Sequence, residues 1–188
     1  MADKEKKIII AGFGGQGIVL AGNILARACV IEDKHVAGMA SYGVEMRGGT
    51  ANATVVISDS EITSPFVEKP DIAIIMNQQS LDRFEPKVTK GGMIIVDCSM
   101  TTRQVERDDI EVVSLPAVDI AKWLGNYKVA NTIMVGAFIA NTGLLEISNT
   151  EKAIEELFVR KKAVLININK KALREGAKPT TLHHHRTR

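Results

Sequence analysis

The chain has 188 residues, 45% hydrophobic and 24% charged, with 24 Lys and Arg against 22 Asp and Glu and a net charge of +2. These values exclude a disordered, collagen-like or coiled-coil chain, and the near-balance of charge excludes a nucleic-acid surface built on bulk basicity. One domain is expected, over residues 1–177, followed by a polar tail, 178–188, whose His183, His184 and His185 are set aside from any site.

In chain order, Lys7–Ala11 is a β-branched run ending in glycine and reads as a buried strand. Gly12–Gly17 is a turn, and Ile18–Ile31 a helix with Ile18, Ala21, Leu25 and Ala28 on one stripe. The stretch Ile8–Ala26 carries no charge, but its glycines, Gln16 and Asn23 argue against a membrane span. His35–Ala40 is a second strand, and Ser41–Gly49 is irregular and glycine-rich. Strands are expected at Thr50–Ile57, Asp71–Met76, Met93–Val96 and Glu111–Leu115, with a short helix at Ser80–Phe84 that Pro86 limits. Helices are expected at Ala117–Leu124, at Asn131–Leu145, from a Thr150 cap to about Arg160, and at Ala163–Arg174. Short buried strands alternating with helices define the fold class as α/β: a single Rossmann-like three-layer domain with a mostly parallel sheet and extra C-terminal helices.

No secretory signal or membrane span is read, so a cytoplasmic location is expected. Cys29 and Cys98 sit in apolar surroundings and are expected to be buried free thiols in a reducing compartment. Two thiols, with His35 as the only histidine outside the tail, supply neither a zinc site nor a cubane cluster, and no metal site is expected.

Gly12-Phe-Gly-Gly-Gln-Gly17 follows a strand and opens a helix, the context of a dinucleotide fingerprint. Gly12 would permit the turn. Gly14 would let a ligand approach bare backbone, and Gly17 would let the helix pack against the strand. Gln16 is atypical, and Glu32, Asp33 and Glu45 all miss the strand end where a ribose-binding acid belongs. Three readings stay open from this loop alone: a turn that binds nothing, a phosphate-bearing ligand, or NAD(P).

Ser41-Tyr-Gly-Val-Glu-Met-Arg-Gly-Gly49 is the second unusual segment, in which Arg47 offers a planar fork to a phosphate or carboxylate and Glu45 could orient it or meet a basic partner group. With Asn77-Gln78-Gln79 and Asp97-Cys98-Ser99, both loops should lie at the carboxyl edge of the sheet. No nucleophile elbow, Walker lysine, His-Glu-x-x-His or Cys-x-x-Cys is present, His35 reads as the start of a strand, and no catalytic set emerges.

Gly12–Gly22 together with Ser41–Thr50, continued by Asn52–Ser58, Pro70-Asp71 and Met76-Asn77-Gln78, resembles the gamma subunit of 2-oxoacid:ferredoxin oxidoreductases, over about residues 7–175. Length and glycine pattern are most similar to the separate gamma chain of the 2-oxoglutarate or 2-ketoisovalerate enzymes. The resemblance implies an accessory subunit of a complex that decarboxylates a 2-oxoacid, passes the acyl group to coenzyme A and reduces ferredoxin. It places thiamine diphosphate, Mg2+ and the iron–sulfur clusters in alpha, beta or a small delta subunit, and no cofactor with certainty in this chain. Gly12, Gly14, Gly15, Gln16, Gly17 and Arg47 would approach coenzyme A or an interface. Tyr42, Glu45, Gly48, Gly49, Asn77 and Gln78 would meet partner subunits. Self-association of the isolated chain as a homodimer stays open, and no nucleic-acid or membrane partner is expected. The alternatives of a different class are a free-standing NAD(P)-binding Rossmann dehydrogenase and a nucleotide-binding regulatory module.

Overall fold

Strand and helix alternate as expected in the computed structural model of the chain, which describes residues 5–42, 50–159, 161 and 163–179. The elements are β1 (Lys6–Phe13), α1 (Ile18–Ile31), β2 (His35–Tyr42), β3 (Thr50–Ser58), β4 (Ile72–Ile75), α2 (Gln78–Phe84), β5 (Met93–Asp97), β6 (Glu111–Leu115), α3 (Ala117–Trp123), α4 (Ala130–Thr142), α5 (Ile147–Leu157) and α6 (Ala163–Gly176). They form one sheet in the order β2-β3-β1-β4-β5-β6. β1, β4, β5 and β6 pair in parallel, while β3 runs antiparallel to both β1 and β2. The physical reason is the connection: residues 43–49 are too few for a crossover helix, so β3 must turn straight back along β2. α1 therefore carries the chain two places along the sheet, and β3 fills the gap.

The two faces of the sheet are covered unequally. Ile8 and Ile10 face a large core made with α1, α3, α4, α5 and α6. Ile9 and Ala11, with Ala73, Ile75, Ile94 and Val96, face a smaller one closed by Leu81 and Phe84 of α2 and by Val88 and Val105. The third layer is thus one two-turn helix and a loop. That loop is tied down by Arg107, which donates to the carbonyls of Glu85 and Val88, and by Arg103, paired with Asp82 and Glu85.

The buried centre of the helical layer is α4, enclosed from Ala130 to Ile139, so the apolar stretch that starts at Asn131 belongs to the core as far as Ile139 and comes to the surface at Ala140. α6 crosses it at Gly136 and Gly176. A β-carbon at Gly136 would run into the Leu173 carbonyl, and one at Gly176 into the Ile133 carbonyl. Two glycines bring the helix backbones into direct contact.

Two local expectations are corrected. α5 begins three residues before Thr150, which lies inside it and donates its hydroxyl to the Glu146 carbonyl (3.0 Å). The end of α5 is served from a distance instead, by Glu32, whose Oε1 accepts from Glu146 N (2.7 Å). Cys98 is exposed, because it follows β5 on the rim. Only Cys29 is a buried thiol, and burial pushes its pKa up to about 12.

Candidate functional site

The register puts the motif-bearing loops at one end of the sheet. Phe13 pairs with Thr50, Tyr42 with Ala51, Ile75 with Val96 and Asp97 with Leu115. The glycine loop, the 43–49 connection, Asn77 and the Asp97 loop all leave from this carboxyl edge. Glu45, Arg47, Gly48 and Gly49 lie outside the described residues.

The glycine loop is held at both of its ends by side chains. Gln16 reaches back across the gap between β1 and β4. Its Oε1 accepts from Phe13 N (2.6 Å) and its Nε2 donates to the Met76 carbonyl (3.0 Å). This explains Gly12, which lies buried within β1 rather than in the turn: a β-carbon there would sit 2.5 Å from Gln16 Oε1 and 2.8 Å from Ile18 Cδ1. Gly17 is left-handed at φ 78°, and a β-carbon on it would sit 2.5 Å from Asn131 Nδ2. It faces α4, not the strand. The glycine that faces the sheet from α1 is Gly22, over Ala53, Val55 and Ile10. Gly14 and Gly15 are exposed, and a β-carbon on Gly15, at φ 96°, would meet nothing within 4 Å.

α1 starts directly from this bare backbone and has no side-chain cap on its first turn. Its free N–H groups and positive dipole end favour an anion, by about 0.3–1 kcal/mol where exposed. α4, close by, continues from a 3-10 turn at Tyr127–Val129, where the Asn126 side chain accepts from Lys128 N (3.1 Å) and Ala130 N donates to the Tyr127 carbonyl. Asn131, at the second position of α4, joins the two by donating to the Gly17 carbonyl (3.0 Å).

The other half of the rim is packed on itself. Asn77 is 1% exposed and caps α2, its Oδ1 accepting from Ser80 N (2.7 Å). Gln78 uses its Oε1 on the N–H groups of Thr102 and Arg103 (2.8 and 3.3 Å) and its Nε2 on Asp82 (2.8 Å). Both residues, expected at a partner surface, are engaged by their own chain. Asp97 is fully buried, and its oxygens accept from Ser99 N (3.0 Å) and Val118 N (3.2 Å), which seats α3 on β5. Burial pushes the Asp97 carboxyl above the ordinary carboxylate range, against the pull of those hydrogen bonds. Asn77 Nδ2, Ser80 Oγ and Ser99 Oγ are buried with no hydrogen-bond partner among the described residues.

Sequence reasoning missed Asn131 and the structural task of Asp97. The available signal for Asn131 was an amide set among the apolar residues of α4, where a buried polar group demands a partner.

Among the described residues no group of three or more His, Cys, Asp and Glu is placed to hold a metal ion, and no helix is long and apolar enough to cross a membrane. The described part of the site presents bare backbone at Gly14 and Gly15 and the free N–H groups at the start of α1. A dehydrogenase reading is not favoured by the topology. The strand after α1 is not beside β1, β3 lies between them, and β2 ends in Ser41-Tyr42 without the acid a ribose would need.

Residues 7–178 match the family model described as pyruvate ferredoxin/flavodoxin oxidoreductase, and the chain belongs to that family. It is 40% identical over 92% of its length to the ketoisovalerate oxidoreductase subunit VorA of Methanothermobacter thermautotrophicus, of which it spans 36%. The chain thus covers about a third of that curated relative. It is 40% identical over 80% of its length to the 2-oxoglutarate synthase subunit KorC of Methanocaldococcus jannaschii, spanning 82% of it. Among solved structures it is similar to the keto/oxoacid ferredoxin oxidoreductase gamma subunit of Geobacter sulfurreducens, with 30% identity, a TM-score of 0.79, and 92% of this chain and 96% of the other covered.

Proposed function

We propose that this chain is the accessory gamma subunit of a 2-oxoacid:ferredoxin oxidoreductase, and that its carboxyl rim contacts coenzyme A and the companion subunits. Thiamine diphosphate, Mg2+ and iron–sulfur clusters, held by alpha, beta or delta subunits, would supply decarboxylation and electron transfer to ferredoxin. This chain's residues would bind and orient, and the isolated chain would have no activity. Among 2-oxoacids 2-oxoglutarate is favoured, because relatives that match as separate chains reach 40% identity for KorC of Methanocaldococcus jannaschii against 31% for the pyruvate/ketoisovalerate gamma subunit of Thermococcus litoralis.

One observation carries the reading: the exposed backbone of Gly14 and Gly15 lies open beside the uncapped start of α1. Such a surface suits the phosphates of coenzyme A, and bare backbone lets them come close. Tyr42 ends β2 at the same edge, Glu45, Arg47, Gly48 and Gly49 follow it in the chain, and Arg47 would add a planar cationic fork. The exposed Trp123 and Tyr127, near the start of α4, suit a covered surface in an assembly.

Calorimetry of the assembled complex with coenzyme A, wild type against Arg47→Ala, tests the ligand role. Weaker binding at unchanged assembly is the expected result. Unchanged affinity and turnover would remove Arg47 from the ligand. Ketoacid oxidation by the purified single chain would end the accessory-subunit reading.

A further inference from the structure

α4 is apolar over most of its buried length, yet Asn131 and Thr132 lie side by side near its start at 1% and 0% exposure. Buried amides and hydroxyls in a helix usually find a partner one turn back in their own backbone. Asn141 and Thr142, at the other end of α4, do so, donating to the carbonyls of Ala137 and Phe138 (both 2.8 Å). Asn131 does not. Its Nδ2 reaches 114 residues back along the chain to the carbonyl of Gly17 (3.0 Å), which also accepts the first intrahelical bond of α1, from Ala21 N (2.9 Å). Gly17 is shaped for that contact, since any β-carbon there would displace the amide.

Beside it, Thr132 Oγ1 lies 3.5 Å from Asn131 Oδ1 but gives its one proton to Asn169 Oδ1 (2.7 Å), and Asn169, 4% exposed, donates its amide to the Leu165 carbonyl (2.8 Å). Asn169 belongs to α6, which the Gly136–Gly176 crossing fixes against α4. The Thr132–Asn169 bond thus ties α6 to α4, and the glycine loop itself is held by Asn131 at its end and by Gln16 at its beginning.

Resting on the coenzyme A reading of that loop, we propose that Asn131 is its positioning residue, holding Gly17 so that the bare Gly14–Gly15 backbone and the first N–H groups of α1 stay aimed at the ligand, from a helix that the Thr132–Asn169 bond and the glycine crossing fix to α6. Asn131 touches no reacting atom. It acts through the loop, by removing the freedom that would otherwise be lost on binding.

Two measurements test this on Asn131→Ala and, should that variant fail to fold, on Asn131→Ser, which keeps a hydroxyl but cannot span the distance. In the full chain, amide hydrogen exchange over residues 13–18 should accelerate about tenfold while β4 and β5 keep their protection. In the assembled enzyme, KM for coenzyme A should rise about tenfold, with KM for the 2-oxoacid and kcat at saturating coenzyme A little changed. Unchanged exchange in the loop overturns the proposal whatever the ligand is. Faster exchange with an unchanged KM overturns its functional half. If Arg47→Ala nonetheless raises that KM, the coenzyme A reading stands and only the part given to Asn131 fails. If neither variant raises it, the reading falls too.

Discussion

At Gly15 a β-carbon would meet nothing within 4 Å, whereas at Gly176 it would run into the carbonyl of Ile133. The first glycine lies on the carboxyl rim and the second in the crossing of α6 with α4. In the crossing the space left by the missing side chain is filled by the chain's own backbone, and the gain is close packing. On the rim it is left open, and among the described residues the loop is held at its ends, by Gln16 and Asn131. A fold that packs glycine this closely at one place leaves it bare at another, and the proposed ligand contact lies at the bare one. α4 joins the two regions, its start touching Gly17 and its middle carrying Gly136.

The strongest way to break the comparison is to add one carbon to the crossing. In an exposed helix, replacing glycine by alanine stabilises by about 1 kcal/mol. Gly136→Ala and Gly176→Ala should instead destabilise by about 3 kcal/mol or more, because the contact is with backbone that cannot turn aside. Denaturant unfolding of the purified chain measures this, and a variant as stable as wild type would show that the helices separate freely.

A smaller effect is expected at Asp97, on the packed half of the rim. Asp97→Asn keeps one acceptor oxygen and turns an amide toward backbone donors, so it should cost about 1–3 kcal/mol. The pH dependence carries a sign. The folded pKa lies above the unfolded one, so between them the folded chain keeps a proton that the unfolded chain has released. Stability from this group therefore falls as pH rises through that window, and the advantage of wild type over Asp97→Asn should shrink in the same direction. An advantage that grows with pH across the mildly acidic range would contradict a desolvated carboxyl.

The smallest effect on stability is expected at Gly15. Gly15→Ala meets open space and strains only a positive φ, a cost of about 1 kcal/mol. Binding of coenzyme A by the assembled complex should weaken out of proportion to that small change, as titration calorimetry beside thermal unfolding would reveal. Equal losses at Gly15 and at a remote exposed glycine such as Gly91, which also has positive φ and open surroundings, would erase the distinction between rim and scaffold.

Much of this was legible without coordinates. β1, α1 and β6 follow directly from the Ile8-Ile9-Ile10 run, the apolar stripe of Ile18–Ile31 and the Glu111–Leu115 strand closed by Pro116. Periodicity and punctuation are local signals, and these elements are long or sharply bounded. The partners of the loops were not legible. Gly12 and Gly17 look like fingerprint glycines in any alignment-free reading, yet one makes room for Gln16 and the other for an asparagine from a helix more than a hundred residues away. Asn77 and Gln78 look like exposed polar rim residues, but a helix cap and the Thr102–Arg103 backbone claim them. Cys98 looks as apolar in context as Cys29, and only its place after the last residue of β5 exposes it.

The amino-acid sequence by itself determined the α/β class and the family, because composition, hydrophobic period and two linked glycine motifs are properties of neighbouring residues. Only the tertiary structure decided that β3 inserts between β2 and β1, and which glycines are filled from within and which are open. Asn131 as the holder of the rim was likewise its decision. Those outcomes depend on groups far apart in the chain competing for the same space, and no local pattern records which of them arrives.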